Sequence, residues 1–62
     1  MDFIKVPIKH NNLWRNSLIQ VGSISYIVEE GERATIVLNN GKELETQFKK
    51  ETILFLIQNE ER

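Results

Sequence analysis

The sequence predicts a mainly β fold: a small antiparallel β-meander or barrel of about four to five strands with a short C-terminal helix. Three observations point there. Gly22, Gly31 and Gly41 punctuate the middle of the chain at nearly regular intervals, and the segments between them are rich in β-branched residues. Asn40-Gly41 is flanked by Ala34, Ile36 and Leu38 on one side and Leu44 on the other; Asn-Gly suits the two positive-φ positions of a type I′ turn, so two strands are expected to fold back there. The run Ile53-Leu54-Phe55-Leu56-Ile57 is apolar throughout and bounded by polar segments.

Asp2 to Lys9 reads as the first strand. Ile4, Val6 and Ile8 form one aliphatic face, and Phe3, Lys5, Pro7 and Lys9 the other, mostly polar one. Pro7 has no backbone donor, which assigns this strand to an edge or a bulge. His10-Asn11-Asn12 is a turn cluster. Leu13 to Arg15 is a short segment with the sole tryptophan, Trp14. Ser17 to Val21 carries apolar residues on both faces, which suggests a buried strand or an irregular corner, and Gly22-Ser23 breaks it.

Ile24 to Glu30 is the next strand. The stretch Glu29-Glu30-Gly31-Glu32-Arg33 is too charged to be anything but solvated. Ala34 to Asn39 then pairs with Lys42 to Phe48. Ala34, Ile36 and Leu38 share a face, as do Leu44, Thr46 and Phe48, while Glu43, Glu45 and Gln47 alternate outward. In the last segment, periodicity does not separate a buried strand from a buried helix; length and flanks favour a helix. On a helix, Ile53, Leu56 and Ile57 cover the sheet and Leu54 and Phe55 project from a second face, which in so small a protein is expected to meet another copy of the chain. Asn59-Glu60-Glu61-Arg62 reads as a solvated tail.

Residues 1–62 make one small domain. A chain of this length buries only about 60% of the surface its unfolded form exposes. It has no cysteine and a single histidine, so neither a disulfide nor a metal clip is expected to reinforce it, and self-association is the most economical source of further buried surface. The cysteine-free composition, the acidic start Met1-Asp2 and the lack of a long apolar run suggest a cytoplasmic, unprocessed protein with no membrane span. Net charge is −1, without the strongly basic character of a generic nucleic-acid binder. The charge is uneven, however. Residues 1–16 carry Lys5, Lys9 and Arg15 against Asp2, whereas the remainder is rich in glutamate.

Few residues suggest chemistry. His10 is the conventional proton shuttle near neutral pH, but it lies in a polar turn with no evident partner and reads as a solvated histidine. Glu29, Glu30 and Glu32 do not follow a calcium-loop order and read as a charged hairpin tip. No cofactor, metal site or catalytic residue is expected, and the protein is read as no enzyme. Lys49 and Lys50 would open the helix where its dipole is already positive, which is unfavourable unless an anion is bound there; otherwise the helix starts near Glu51 or Thr52 and the lysines lie in a loop. Trp14 and Tyr26 are candidates for binding hot spots, although in a small domain each reads first as a core residue.

Residues 3–57 resemble the FlbD/SwrD-type small flagellar-operon proteins. The matching pieces are Ile4-Lys5-Val6, Asn16-Ser17-Leu18-Ile19, Ile24-Ser25-Tyr26-Ile27-Val28-Glu29, Ile36-Val37-Leu38-Asn39-Asn40-Gly41-Lys42 and Ile53 to Ile57. The chain departs from that pattern at Trp14, in a longer stretch before Ile24, and in carrying lysines where that family tends to place a helix-capping serine. Residues 19–57 also resemble the strand pattern of the longer LytTR-type DNA-binding domains.

The expected function is that of a small non-enzymatic binding or regulatory protein. It would self-associate, with Leu54, Phe55, Trp14 and Tyr26 as interface residues, and work through contacts with another protein. The alternative is a small nucleic-acid-binding β-domain with Lys5, Lys9, Arg15, Lys49 and Lys50 on phosphates.

Overall fold

Alternation of Ile4, Val6 and Ile8 with Phe3, Lys5, Pro7 and Lys9 makes Phe3–His10 the first strand, β1, in the computed structural model, which describes residues 2–59. Asn11 and Asn12 both adopt positive φ, 53° and 64°. Asparagine tolerates that conformation better than most residues, and two such positions in a two-residue loop are the signature of a type I′ turn. The chain therefore reverses there into β2, Leu13–Gln20, which pairs antiparallel with β1 from Phe3↔Gln20 to His10↔Leu13. A single 3-10 turn, Val21–Ser23, leads into β3, Ile24–Glu30.

β3, β4 (Arg33–Leu38) and β5 (Glu43–Glu45) form an antiparallel three-stranded sheet in the order β3-β4-β5. Gly31, at φ 64°, takes the first of the two loop positions between β3 and β4, where a type II′ turn needs glycine. The β4–β5 turn differs from the type I′ turn expected at Asn40-Gly41. Only Gly41 has positive φ, 89°, and the loop has three residues, Asn39 to Gly41. Gly41 N–H donates to Leu38 C=O at 2.9 Å and Leu38 N–H to Lys42 C=O at 2.8 Å, as in a type I turn completed by a glycine bulge. Two bonds account for the longer loop. Asn39 N–H donates to Ser23 C=O at 2.8 Å, holding Asn39 against the β3 side. Asn40 Oδ1 accepts the Lys42 N–H at 2.9 Å, closing the turn through a side chain.

The two sheets meet at one bridge, Ile8↔Thr46. Pro7 explains why the pairing goes no further. Its C=O accepts the Gln47 N–H at 3.3 Å, so its donor-less nitrogen faces the same way, and the next ladder bond has no donor. The edge position expected for Pro7 is thus realised on the side of β1 facing away from β2. Beyond the bridge, Thr46 is almost fully buried and anchors the crossing. Its hydroxyl donates to Ala34 C=O at 2.7 Å and accepts the Phe48 N–H at 3.2 Å.

The core unites Ile4, Val6, Ile8, Ile19, Ala34, Ile36 and Ile53, with Leu44, Phe48, Leu56 and Ile57 packed against it. Ile53, Leu56 and Ile57 come from the helix α1, Lys50–Asn59, which lies over β1 and β3. Helix, facing residues and mainly β class agree with the sequence reading. Asn59 ends the helix, its Nδ2 donating to Phe55 C=O at 2.8 Å; the rest of the expected tail, residues 60–62, lies outside the described residues.

Two readings are corrected. Leu13 to Val21 is not a short segment plus a buried strand: β2 is continuous over eight residues, and of these only Ile19 is buried, because β2 overhangs the core at its turn end. β4, by contrast, buries both faces, Thr35 and Val37 as well as Ala34 and Ile36. β5 spans three residues rather than the whole of Lys42 to Phe48, since the chain turns at Thr46 to reach the helix.

Candidate interaction surfaces

Two surfaces stand out: the outer face of α1 and the β1–β2 hairpin. On α1, the period of 3.6 places Glu51, Leu54, Phe55 and Gln58 together, opposite Ile53. Leu54 is 42% exposed and Phe55 63%, an apolar pair on the one face of the helix that the sheet does not cover.

The lysines at the start of α1 have a partner within the chain. Lys50 Nζ lies 3.3 Å from a carboxylate oxygen of Glu29. Lys49 lines a hollow of about 400 Å³ with Glu29, Gly31, Glu32 and Glu51. The β3–β4 tip therefore supplies the negative charge that cations at a helix N-terminus require. The helix starts at Lys50 rather than near Glu51 or Thr52, and Lys50 has the protein's own Glu29 beside it. Both partners are well exposed, so the pair contributes under about 1 kcal/mol.

The hairpin carries Lys5, Lys9 and Arg15 and no acidic residue between Phe3 and Gln20. Lys5 and Lys9 project from the outer face of β1, whereas Arg15, opposite Ile8, lies on the other face of the ribbon. Lys9 also shares an open hollow of about 370 Å³ with Asn11, Asn12, Glu43 and Glu45. The five cations considered for phosphate contact are thus dispersed: two on one face, one on the opposite face, and two among glutamates at the helix start. His10 is exposed at the end of β1.

Trp14 and Tyr26 are not core residues, contrary to the first reading of each. Tyr26 is exposed on β3 opposite Val37. Trp14 is half-buried, and the Arg33 guanidinium carbon sits 5.2 Å from its ring centroid, a cation–π contact worth about 0.5–1 kcal/mol at such a site. It links β2 to the start of β4 over a pocket of about 190 Å³ that Ala34, Thr35, Glu45 and Thr46 also line. The sequence carries no signal for this contact, because Trp14 and Arg33 meet only through the crossing at Thr46.

Among the described residues, no group of three or more His, Asp or Glu is arranged to hold a metal ion, and no helix is long and apolar enough to cross a membrane. No family model, curated protein or solved structure matches the chain.

Proposed function

We propose that the chain is a small, non-enzymatic binding or regulatory protein that self-associates through the outer face of α1 and acts through contacts with other proteins. The observation that carries the reading is the exposure of Leu54 and Phe55 on a helix whose opposite face plugs the core. Two adjacent large apolar side chains on a rigid element suit an isologous helix–helix contact, and a chain of this size gains the most from one. Trp14 and Tyr26 offer further aromatic surface to a partner. The cysteine-free composition supports a cytoplasmic setting. The nucleic-acid reading has weaker support, because the five basic side chains form no single stripe.

The test is sedimentation equilibrium on the wild type, Leu54→Glu and Phe55→Glu over a wide concentration range, with circular dichroism on the same samples. The expected result is a discrete oligomer for the wild type and a folded monomer for both variants. A monomeric wild type would overturn the reading. So would variants that unfold equally at every concentration, since these side chains would then be intramolecular core.

A further inference from the structure

We infer that the free edge of β2 is a strand-addition site for an extended, acidic segment of a partner protein. This inference deepens the proposal of protein–protein action and rests on its partner-binding half, not on the helix contact.

The first argument is hydrogen-bond parity. In a two-residue hairpin the residues flanking the loop, here His10 and Leu13, form the hydrogen-bonded pair, and the pattern then alternates. Odd-numbered residues of β2 therefore bond to β1, and even-numbered ones point their N–H and C=O away. Two bonds agree with this assignment. Val21 N–H reaches Asp2 C=O at 2.9 Å, one step beyond the strand on the β1-facing side, and Pro7, opposite Asn16, directs its C=O to Gln47 instead of β2. The outward backbone groups of Trp14, Asn16 and Leu18 have no partner among the described residues.

The second argument is the absence of protection. Exposed edges are normally blunted by proline, bulges, charges or a covering element. The edge at β3, by contrast, has such devices: a register break between Ile24 and Tyr26, the Glu29-Glu30 pair at its end, and α1 packed against the strand. β2 runs for eight residues with no bulge, no proline, no glycine and a single charge, Arg15. Leu18, 66% exposed, stands on its outer face.

Charge selects the occupant. A second copy docking its own β2 would bring Lys5, Lys9 and Arg15 against the same three cations. A segment alternating apolar residues with Asp or Glu would meet Arg15 with opposite charge on one face of the ribbon and Leu18 with an apolar side chain on the other. A row of backbone donors and acceptors at strand spacing suits a peptide rather than a nucleic-acid backbone.

The probe is a synthetic peptide of about ten residues alternating valine and glutamate, titrated into ¹⁵N-labelled full-length protein. Amide hydrogen exchange is followed at Asn16 and Leu18. At saturation, exchange at both should slow by at least about tenfold, while Arg15 and Ser17, already bonded to β1, change little. A peptide with lysine for glutamate should bind at least about fivefold more weakly, and a fully N-methylated peptide should have no effect. Leu18→Pro removes an outward N–H and the exposed apolar side chain without removing a donor to β1; it should stay folded and lose the response at Asn16. Lys5→Glu combined with Arg15→Glu should reverse the preference between the two peptides, and serves if the proline variant does not fold.

The inference is overturned if Asn16 and Leu18 do not respond, if the N-methylated peptide works equally, or if the lysine peptide binds as well. Protection of these amides that grows with protein concentration and without peptide would assign the edge to a second copy and overturn it too. The same titration on Phe55→Glu separates the two proposals: an unchanged peptide response in a monomer leaves both standing, and an unchanged response in a variant as associated as the wild type overturns only the helix contact.

Discussion

β2 and β4 are both regular antiparallel strands, yet they do opposite things. β4 is paired on both sides and buried on both faces, from Ala34 to Val37. β2 is paired on one side, and of its eight residues only Ile19 is buried. β4 holds the molecule together, whereas β2 uses the hairpin ladder to hold side chains and backbone groups in the open. The difference lies in position, not strand propensity. Both segments contain β-formers, but β4 sits in the centre of its sheet under the Thr46 crossing, and β2 overhangs the core.

Substitutions at the two strands should therefore diverge. The largest effect is expected for Ile36→Ala, which removes a side chain with no solvent exposure. Such a cavity costs about 2–5 kcal/mol, a large share of the stability of a small domain, and thermal denaturation should show a largely or wholly unfolded protein at room temperature. Thr46→Val tests the crossing that makes β4 central. It removes the acceptor of the Phe48 N–H and the donor to Ala34 C=O, at a cost of about 1–3 kcal/mol; a midpoint lowered by roughly 4 °C or more is expected. The smallest effect belongs to β2. Leu18→Ser should change stability by less than about 0.5 kcal/mol in a denaturant titration; a loss comparable to that of Thr46→Val would mean that β2 is packed, and the contrast would fail.

Much of this arrangement was legible in the residues. The face of Ile4, Val6 and Ile8, the limits of β3, the outward Glu43, Glu45 and Gln47, and the division of α1 into Ile53, Leu56 and Ile57 against Leu54 and Phe55 all follow from periods of 2 and 3.6. Local rules sufficed there because each face is either covered or solvated. They failed where distant segments meet. The two-residue type I′ turn proved to lie at Asn11-Asn12 rather than Asn40-Gly41, where only Gly41 has positive φ, because Asn39 is held by Ser23 and lengthens the second loop. The double burial of β4 depends on what lies over Thr35 and Val37, which no local pattern encodes. Trp14 left the core for the same reason: its partner, Arg33, is brought to it by topology. Of the surfaces proposed for binding, the helix pair was legible from an apolar surplus, whereas the β2 edge emerges only from the hydrogen-bond parity of the folded hairpin.

The most direct test of the contrast between a strand that builds and a strand that presents is residue-resolved amide exchange on dilute wild-type protein. The structure predicts strong protection along Ala34 to Leu38 and an alternating pattern on β2, with Arg15, Ser17 and Ile19 protected and Trp14, Asn16 and Leu18 exchanging rapidly. Uniform protection along β2, or β2 and β4 exchanging alike, would contradict it.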